Sequence, residues 1–249
     1  MISVYDYYIG IFLEVYMYNE CLDPLCIAAL ALFLVISIIH LIKCFQQRQK
    51  WADMTKFMLM PALLLFFLAF SFVNIKTFSV LNVLIIIALI FSFLGDAVLL
   101  FDWEKQNFAL GILFFAITQI SYIVFAILGA NVENIPLIPG IVTAVIFLIS
   151  IVYAVLRTKK QLKGLKSIVI TYGFILSSMS WLFIVFAFAN PSVGLILAAV
   201  GSVFFLISDT MVATKYFLGG KAGMRFLIMK TYILAQLLIV LGAIGIIGA

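Results

Sequence analysis

Two acids stand where acids are expensive. Asp96 lies inside the apolar run FSFLGDAVLLF and Asp209 inside FFLISDTMVATKYF, whereas the other eight of the ten Asp and Glu fall in polar links or in the first 23 residues. An ionisable side chain at membrane depth costs about 2.5–3.5 kcal/mol on insertion scales and persists mainly where it faces a bundle interior or water. Two carboxyls close together in low dielectric ionise unequally, one holding a proton while the other stays charged. That division suits general acid–base chemistry. The competing reading is structural: a helix-packing hydrogen bond, or an ion pair with Lys56 or Lys230.

Other polar residues recur at comparable depth. Ser92 lies one turn before Asp96, Gly95 immediately before it, and Ser208 immediately before Asp209. Small residues admit close helix approach, and hydroxyls can hydrogen-bond a carboxyl. Gln119 and Tyr122 share a helix face by i,i+3 spacing, and Tyr232 and Gln236 share one by i,i+4. The two glutamines read equally well as interhelical glue. Lys56 and Lys230 read equally well as snorkelling anchors. His40 is the one histidine, so no multi-His zinc site forms, and no G-x-S-x-G elbow or P-loop occurs. Serine-triad and zinc-dependent membrane hydrolases therefore fit poorly, and carboxylates remain as the acid–base pair.

The elements that position these residues follow from composition. Of 249 residues, 67% are hydrophobic and 10% charged, with mean hydropathy +1.32. A soluble domain carries roughly 45–50% apolar and ~25% charged residues, so soluble, disordered and nucleic-acid-binding classes are excluded. Eight continuous apolar runs predict an all-α polytopic membrane protein: 24–45, 55–73, 79–101, 108–129, 137–156, 167–189, 193–217 and 225–248. Each spans ~30 Å of hydrocarbon at about 1.5 Å per residue. Continuous rather than alternating runs argue against a β-barrel.

Charge sets orientation. Fourteen of the fifteen Lys and Arg flank the first, third, fifth and seventh links, and only Lys76 falls on the other side. The basic side is expected to be cytoplasmic, with both termini outside. The third and seventh spans then run the same way and carry Asp96 and Asp209 at similar depth, toward the cytoplasmic side. Their G-D and S-D cores hint at a four-plus-four parallel duplication. Residues 1–23 lack a positive n-region, are rich in Tyr and acids, and read as a short extramembrane or interfacial segment ahead of a transmembrane domain at 24–249. RTKKQLKGLK reads as a topology determinant. Cys21, Cys26 and Cys44 fit neither metal spacing nor a disulfide framework, and Cys21 and Cys26 read as apolar filler in preference to an outer pair.

An ordered set of motifs gives these features a family. FSFLGDAVLLF resembles the S-x-x-G-D-x-x-L signature of the YhhN-like lysoplasmalogenases, and GSVFFLISDTMVATKYF resembles their G-x-x-x-F-x-x-S-D-x-x-x-A-x-x-x-F signature. TYILAQLLIVLGA is similar to the closing Y-x-x-A-Q-x-L-I segment. TKFMLMPALL, FALGILFFAITQISY, and the Tyr172 and Met179 frame match the second, fourth and sixth spans. The resemblance covers about residues 24–248. It departs at Gln119, where the family is expected often to carry His: hydrogen bonding survives that exchange, proton transfer does not.

What the resemblance implies is an eight-helix hydrolase that cleaves the vinyl ether of lysoplasmalogens without an organic cofactor, in the inner or plasma membrane of a bacterium or the endoplasmic reticulum of a eukaryote. The products are a fatty aldehyde and glycerophosphoethanolamine or glycerophosphocholine. Asp96 and Asp209 would be acid and base in an order left open. Lys56, Ser92, Gln119, Tyr122, Ser208, Lys215, Lys230, Tyr232 and Gln236 would bind the lysophospholipid, with Lys56, Lys215, Arg225 or Lys230 meeting its phosphate. The rival class is a proton- or cation-coupled transporter or channel, since intramembrane acids also serve as relays. Against it, the runs lack the Gly/Pro-broken helices of mid-membrane transport sites. A lipid-binding receptor has no positive support.

Overall fold

The computed structural model describes residues 23–73, 78–101, 105–130, 135–158, 164–221 and 223–248. The Tyr-rich segment up to residue 22, with Cys21, lies outside the described residues. So do Lys76 and the lysines 159, 160 and 163 of the fifth link.

Eight helices form among the described residues, with no strand: α1 Pro24–Phe45, α2 Gln49–Val73, α3 Val80–Phe101, α4 Lys105–Gly129, α5 Leu137–Thr158, α6 Lys166–Ala189, α7 Val193–Leu218 and α8 Met224–Gly248. Seven are long and apolar enough to cross a membrane; in α5 the described apolar stretch is Leu137–Val152. The chain is an integral multi-pass membrane protein. Most boundaries fall within three residues of the apolar runs. The exception is α2, which begins at Gln49 rather than Thr55, because a helix continues through polar residues once backbone bonding has nucleated it.

Local chemistry fixes the ends. Asp23 caps α1 by accepting from the Leu25 N–H at 2.8 Å, with Pro24 in the first turn, where its missing N–H costs nothing. Ser192 caps α7 by accepting from the Leu195 N–H at 3.1 Å. Inside α2, Pro61 withholds the N–H that the Phe57 carbonyl would otherwise receive, loosening the helix one turn beyond Lys56.

Consecutive helices pair except α4 with α5, most extensively α7 with α8, then α3 with α4 and α1 with α2; α6 packs on α4, α5 and α7, and α8 also touches α1 and α3. In hydrocarbon, such packing rests on small residues and polar links rather than on the hydrophobic effect. The α7–α8 seam shows both. A Cβ on Gly242 would lie 2.6 Å from the Gly194 carbonyl oxygen, and one on Gly201 would lie 2.9 Å from that of Ala235. The Ser208 hydroxyl donates to the Ile228 carbonyl at 3.1 Å across the same seam. Elsewhere, Asn82 donates to Ser71 at 3.1 Å to join α3 to α2, and Ser180 donates to the Ser202 carbonyl at 3.1 Å to join α6 to α7. α5 stands at the edge, held to α6 by the Trp181 indole N–H donating to the Gly140 carbonyl at 2.9 Å.

Candidate active site

Asp96 and Asp209 both line one cavity of about 700 Å3 between the helices, within the ~300–1,000 Å3 common for ligand pockets. α3 brings Asp96 from one side and α7 brings Asp209 from the other. Gly95 makes room for the wall between them: a Cβ there would meet the Phe115 ring at 2.8 Å. That ring in turn packs edge-on against Phe205 and Tyr232.

The two carboxyls have different partners. Asp96 is buried, receives the Lys56 ammonium at 2.9 Å on Oδ1, and accepts the Tyr232 hydroxyl at 2.8 Å on Oδ2. Lys56 reaches it from α2 and also lines the cavity. Asp209 is part-buried and accepts the Tyr172 hydroxyl from α6 on Oδ2. Among the described residues no Lys or Arg lies within ion-pair distance of Asp209. Asp96, Lys56 and Asp209 nevertheless line the same cavity.

Behind Asp96 runs a fully buried polar network. Gln236 Nε2 donates to Ser92 Oγ at 2.9 Å, and the Tyr122 hydroxyl donates to Gln236 Oε1 at 2.7 Å. Ser92 and Thr118 share a hydrogen bond of 3.2 Å, and Thr118 donates to the Ala88 carbonyl at 3.1 Å. Satisfied networks of this kind hold their members in one arrangement. Ser92, Tyr122 and Gln236 therefore support the site from beneath and do not line its cavity. Gln119, one turn from Tyr122, faces the Tyr172 hydroxyl, and its buried amide atoms have no hydrogen-bond partner of good geometry among the described residues.

The other expected binding residues stand further from the two acids. Ser208 borders the cavity, but its hydroxyl is committed to the α8 backbone, since neighbouring helix positions sit about 100° apart and Asp209 faces the other way. Lys230 is exposed and lines neither cavity, two positions and about 200° around α8 from Tyr232. Lys215 and Arg225 face a second cavity beside Tyr216, and Arg225 pairs with Asp53. Conversely, Tyr172 stands out in the sequence only as part of a motif frame, and the fold makes it the partner of Asp209. Among the described residues, no group of three or more His, Cys, Asp or Glu side chains is placed to hold a metal ion.

The cavity is apolar apart from its acid end. Its exposed lining residues are Ser150 on α5 and Ile207, Thr210 and Leu218 on α7. α5 packs on α6 and makes at most slight contact with α7. The mouth thus lies sideways between α5 and α7, facing what would be hydrocarbon. Its acid end gathers two carboxyls, a lysine and two tyrosines. No curated protein and no solved structure matches the chain. The model of the YhhN family matches residues 49–243, a stretch that contains both aspartates, Lys56, Tyr172 and Tyr232, and the chain belongs to that family.

Proposed function

We propose that this protein is an ether hydrolase that cleaves the vinyl ether of lysoplasmalogen-type lysolipids. The carrying observation is the unequal pair of carboxyls in one lateral apolar cavity, Asp96 ion-paired with Lys56 and Asp209 with no cation in contact among the described residues. Family membership supports the same reading. The alkenyl chain enters between α5 and α7, and the ether oxygen comes to rest between the acids.

The reaction starts when the Asp209 carboxyl gives its proton to the alkene carbon distal to the ether oxygen. The C=C π pair forms the new C–H bond, and the cation left behind is shared between carbon and oxygen. Asp96, in contact with Lys56 and Tyr232, faces that positive charge and accepts a proton from the attacking water. The resulting hemiacetal loses its glycerol oxygen as an alcohol and leaves a fatty aldehyde. Asp96 gives its proton to the departing oxygen while the hemiacetal hydroxyl releases its own through solvent to Asp209, so one water is consumed and both acids return to their starting states. Tyr172 steadies Asp209 throughout, and Lys56 is also placed to meet the phosphate of the headgroup.

The test is aldehyde release from purified protein given a panel of vinyl ether, alkyl ether and acyl lysolipids, followed by mass spectrometry. The vinyl ether substrate alone should release aldehyde, and Asp96→Asn and Asp209→Asn should each lower turnover by about 100-fold or more. In D2O the aldehyde should carry one deuterium on the carbon next to its carbonyl. Folded variants with unchanged turnover, or solute flux into liposomes without lipid cleavage, would defeat this assignment.

A further inference from the structure

A second cavity of about 440 Å3 lies where α1 stops and α7 turns into α8, and five cations line it: Lys43, Arg48, Lys215, Lys221 and Arg225. They come from separate places in the chain. Lys43 is in the last turn of α1 and Arg48 in the link after it, Lys215 is near the end of α7, Lys221 is in the α7–α8 turn, and Arg225 is in the first turn of α8. Like charges gathered in one concavity repel one another, and the Arg225 and Lys56 charges do act on Lys215. Asp53 pairs with Arg225, and its charge also acts on Lys215, so one carboxylate stands among the five cations. Anchoring of spans by positive charge does not call for this convergence, because Lys50, Lys166 and Lys230 are exposed and stand away from the cavity.

The turn that closes the cavity is built for close approach. Gly219 and Gly223 hold left-handed backbone, with φ of 81° and 82°, a region that side-chain-bearing residues rarely enter. Gly220 and Gly223 line the cavity, so backbone as well as side chains faces it. Arg225 sits in the first turn of α8, where a helix carries its partial positive charge. The cavity shares no lining residue with the one holding the aspartates. Between them stand the Phe108 and Tyr216 rings, stacked with centroids 3.6 Å apart, one lining each cavity.

We propose that this basic cavity binds a phosphate-bearing anion at a site separate from the aspartate cavity. Arginine offers a bidentate fork to phosphate oxygens and lysine a mobile point charge, and the set here supplies both. Two sources share that chemistry: the headgroup of an anionic phospholipid in the adjoining leaflet, and a free phosphate compound.

The experiment uses the full chain in two settings. Inorganic phosphate is titrated calorimetrically into protein in uncharged detergent, and thermal unfolding is compared in nanodiscs of phosphatidylcholine with and without phosphatidylglycerol. The double variant R48Q/K221Q removes two exposed cavity cations outside the helices, and K50Q/K166Q removes two outside the cavity as a control. Saturable phosphate binding in detergent identifies a small anion as sufficient. Stabilisation that depends on phosphatidylglycerol identifies a headgroup. Either signal should fall about tenfold or more in R48Q/K221Q and persist in K50Q/K166Q. Absence of both signals, or equal loss in the two variants, overturns the proposal. Neither readout involves aldehyde release, so the result stands apart from the hydrolase assignment.

Discussion

A carboxylate as buried as Asp96 needs a cation within reach, and Lys56 supplies it at 2.9 Å. Breaking such a pair from one side leaves a charge without a partner, at a cost of about 3–5 kcal/mol, whereas removing both sides together is far milder. Lys56→Met should therefore destabilise the protein by about that amount in detergent. Adding Asp96→Asn should restore much of the loss, measured as the coupling in a double-mutant cycle of thermal unfolding. If the two single changes simply add, the pair is not a stabilising unit. Tyr172→Phe separates chemistry from packing on the other side: the ring remains and only the donor to Asp209 goes. Turnover should fall about tenfold with unfolding nearly unchanged, and unaltered turnover would remove Tyr172 from the site. The acids were legible in the sequence because a charge inside an apolar run is too costly to persist without a partner or a task. Tyr172 was not, because an aromatic in a span looks like any other packed residue until its hydroxyl finds a partner. Ser208 differs from Asp209 for a geometric reason. Adjacency in sequence places it beside Asp209 on the chain but on another face of α7, where its hydroxyl meets the Ile228 carbonyl.

At the scale of elements, α7 carries Asp209 only as accurately as its seam with α8 allows. That seam is closed by glycines whose missing Cβ atoms let the two backbones touch: Gly242 against the Gly194 carbonyl and Gly201 against that of Ala235. The obstacle to a Cβ at these positions is backbone, which cannot swing aside as a side chain would. Gly242→Ala should cost about 1–3 kcal/mol by overpacking. Because the seam also sets the depth of Asp209 relative to Tyr232, the change should lower turnover as well. Gly140→Ala is the matched control, since the nearest atom to its new Cβ would be 3.8 Å away. There the gain in helix propensity, about 0.5–1 kcal/mol, should dominate. Equal behaviour of the two variants in thermal unfolding would deny the seam its role. Helix existence was readable from the apolar runs because hydrocarbon leaves the backbone no alternative partner. The pairing of helices was not, since small residues occur all along the chain and only contact distinguishes Gly242 from Gly140.

For the whole molecule, the distribution of charge argues for one orientation. Fourteen of fifteen Lys and Arg flank alternate links, and the cations that gather around Arg225 belong to that set. Cytoplasmic loops carry such an excess because positive residues resist translocation. Eight crossings then return the chain to the side from which it began, so both ends should face away from the cytoplasm. Two features depend on this. Lys56 and the aspartates would lie nearer the cytoplasmic leaflet, and the basic cavity would open where anionic headgroups are enriched. The orientation is checked with reporters that are active on one side only. Alkaline phosphatase fused after Gly248 should be active and a fusion after Gly164 inactive, with the reverse pattern for green fluorescent protein. The α5 span is the sensitive point, because its described apolar stretch, Leu137–Val152, is the shortest of the eight. If α5 lay along the interface rather than across it, the Gly164 fusion would change sides and the Gly248 fusion would end inside. The fusions after Gly164 and after Gly248 therefore decide together whether α5 crosses and how many crossings there are.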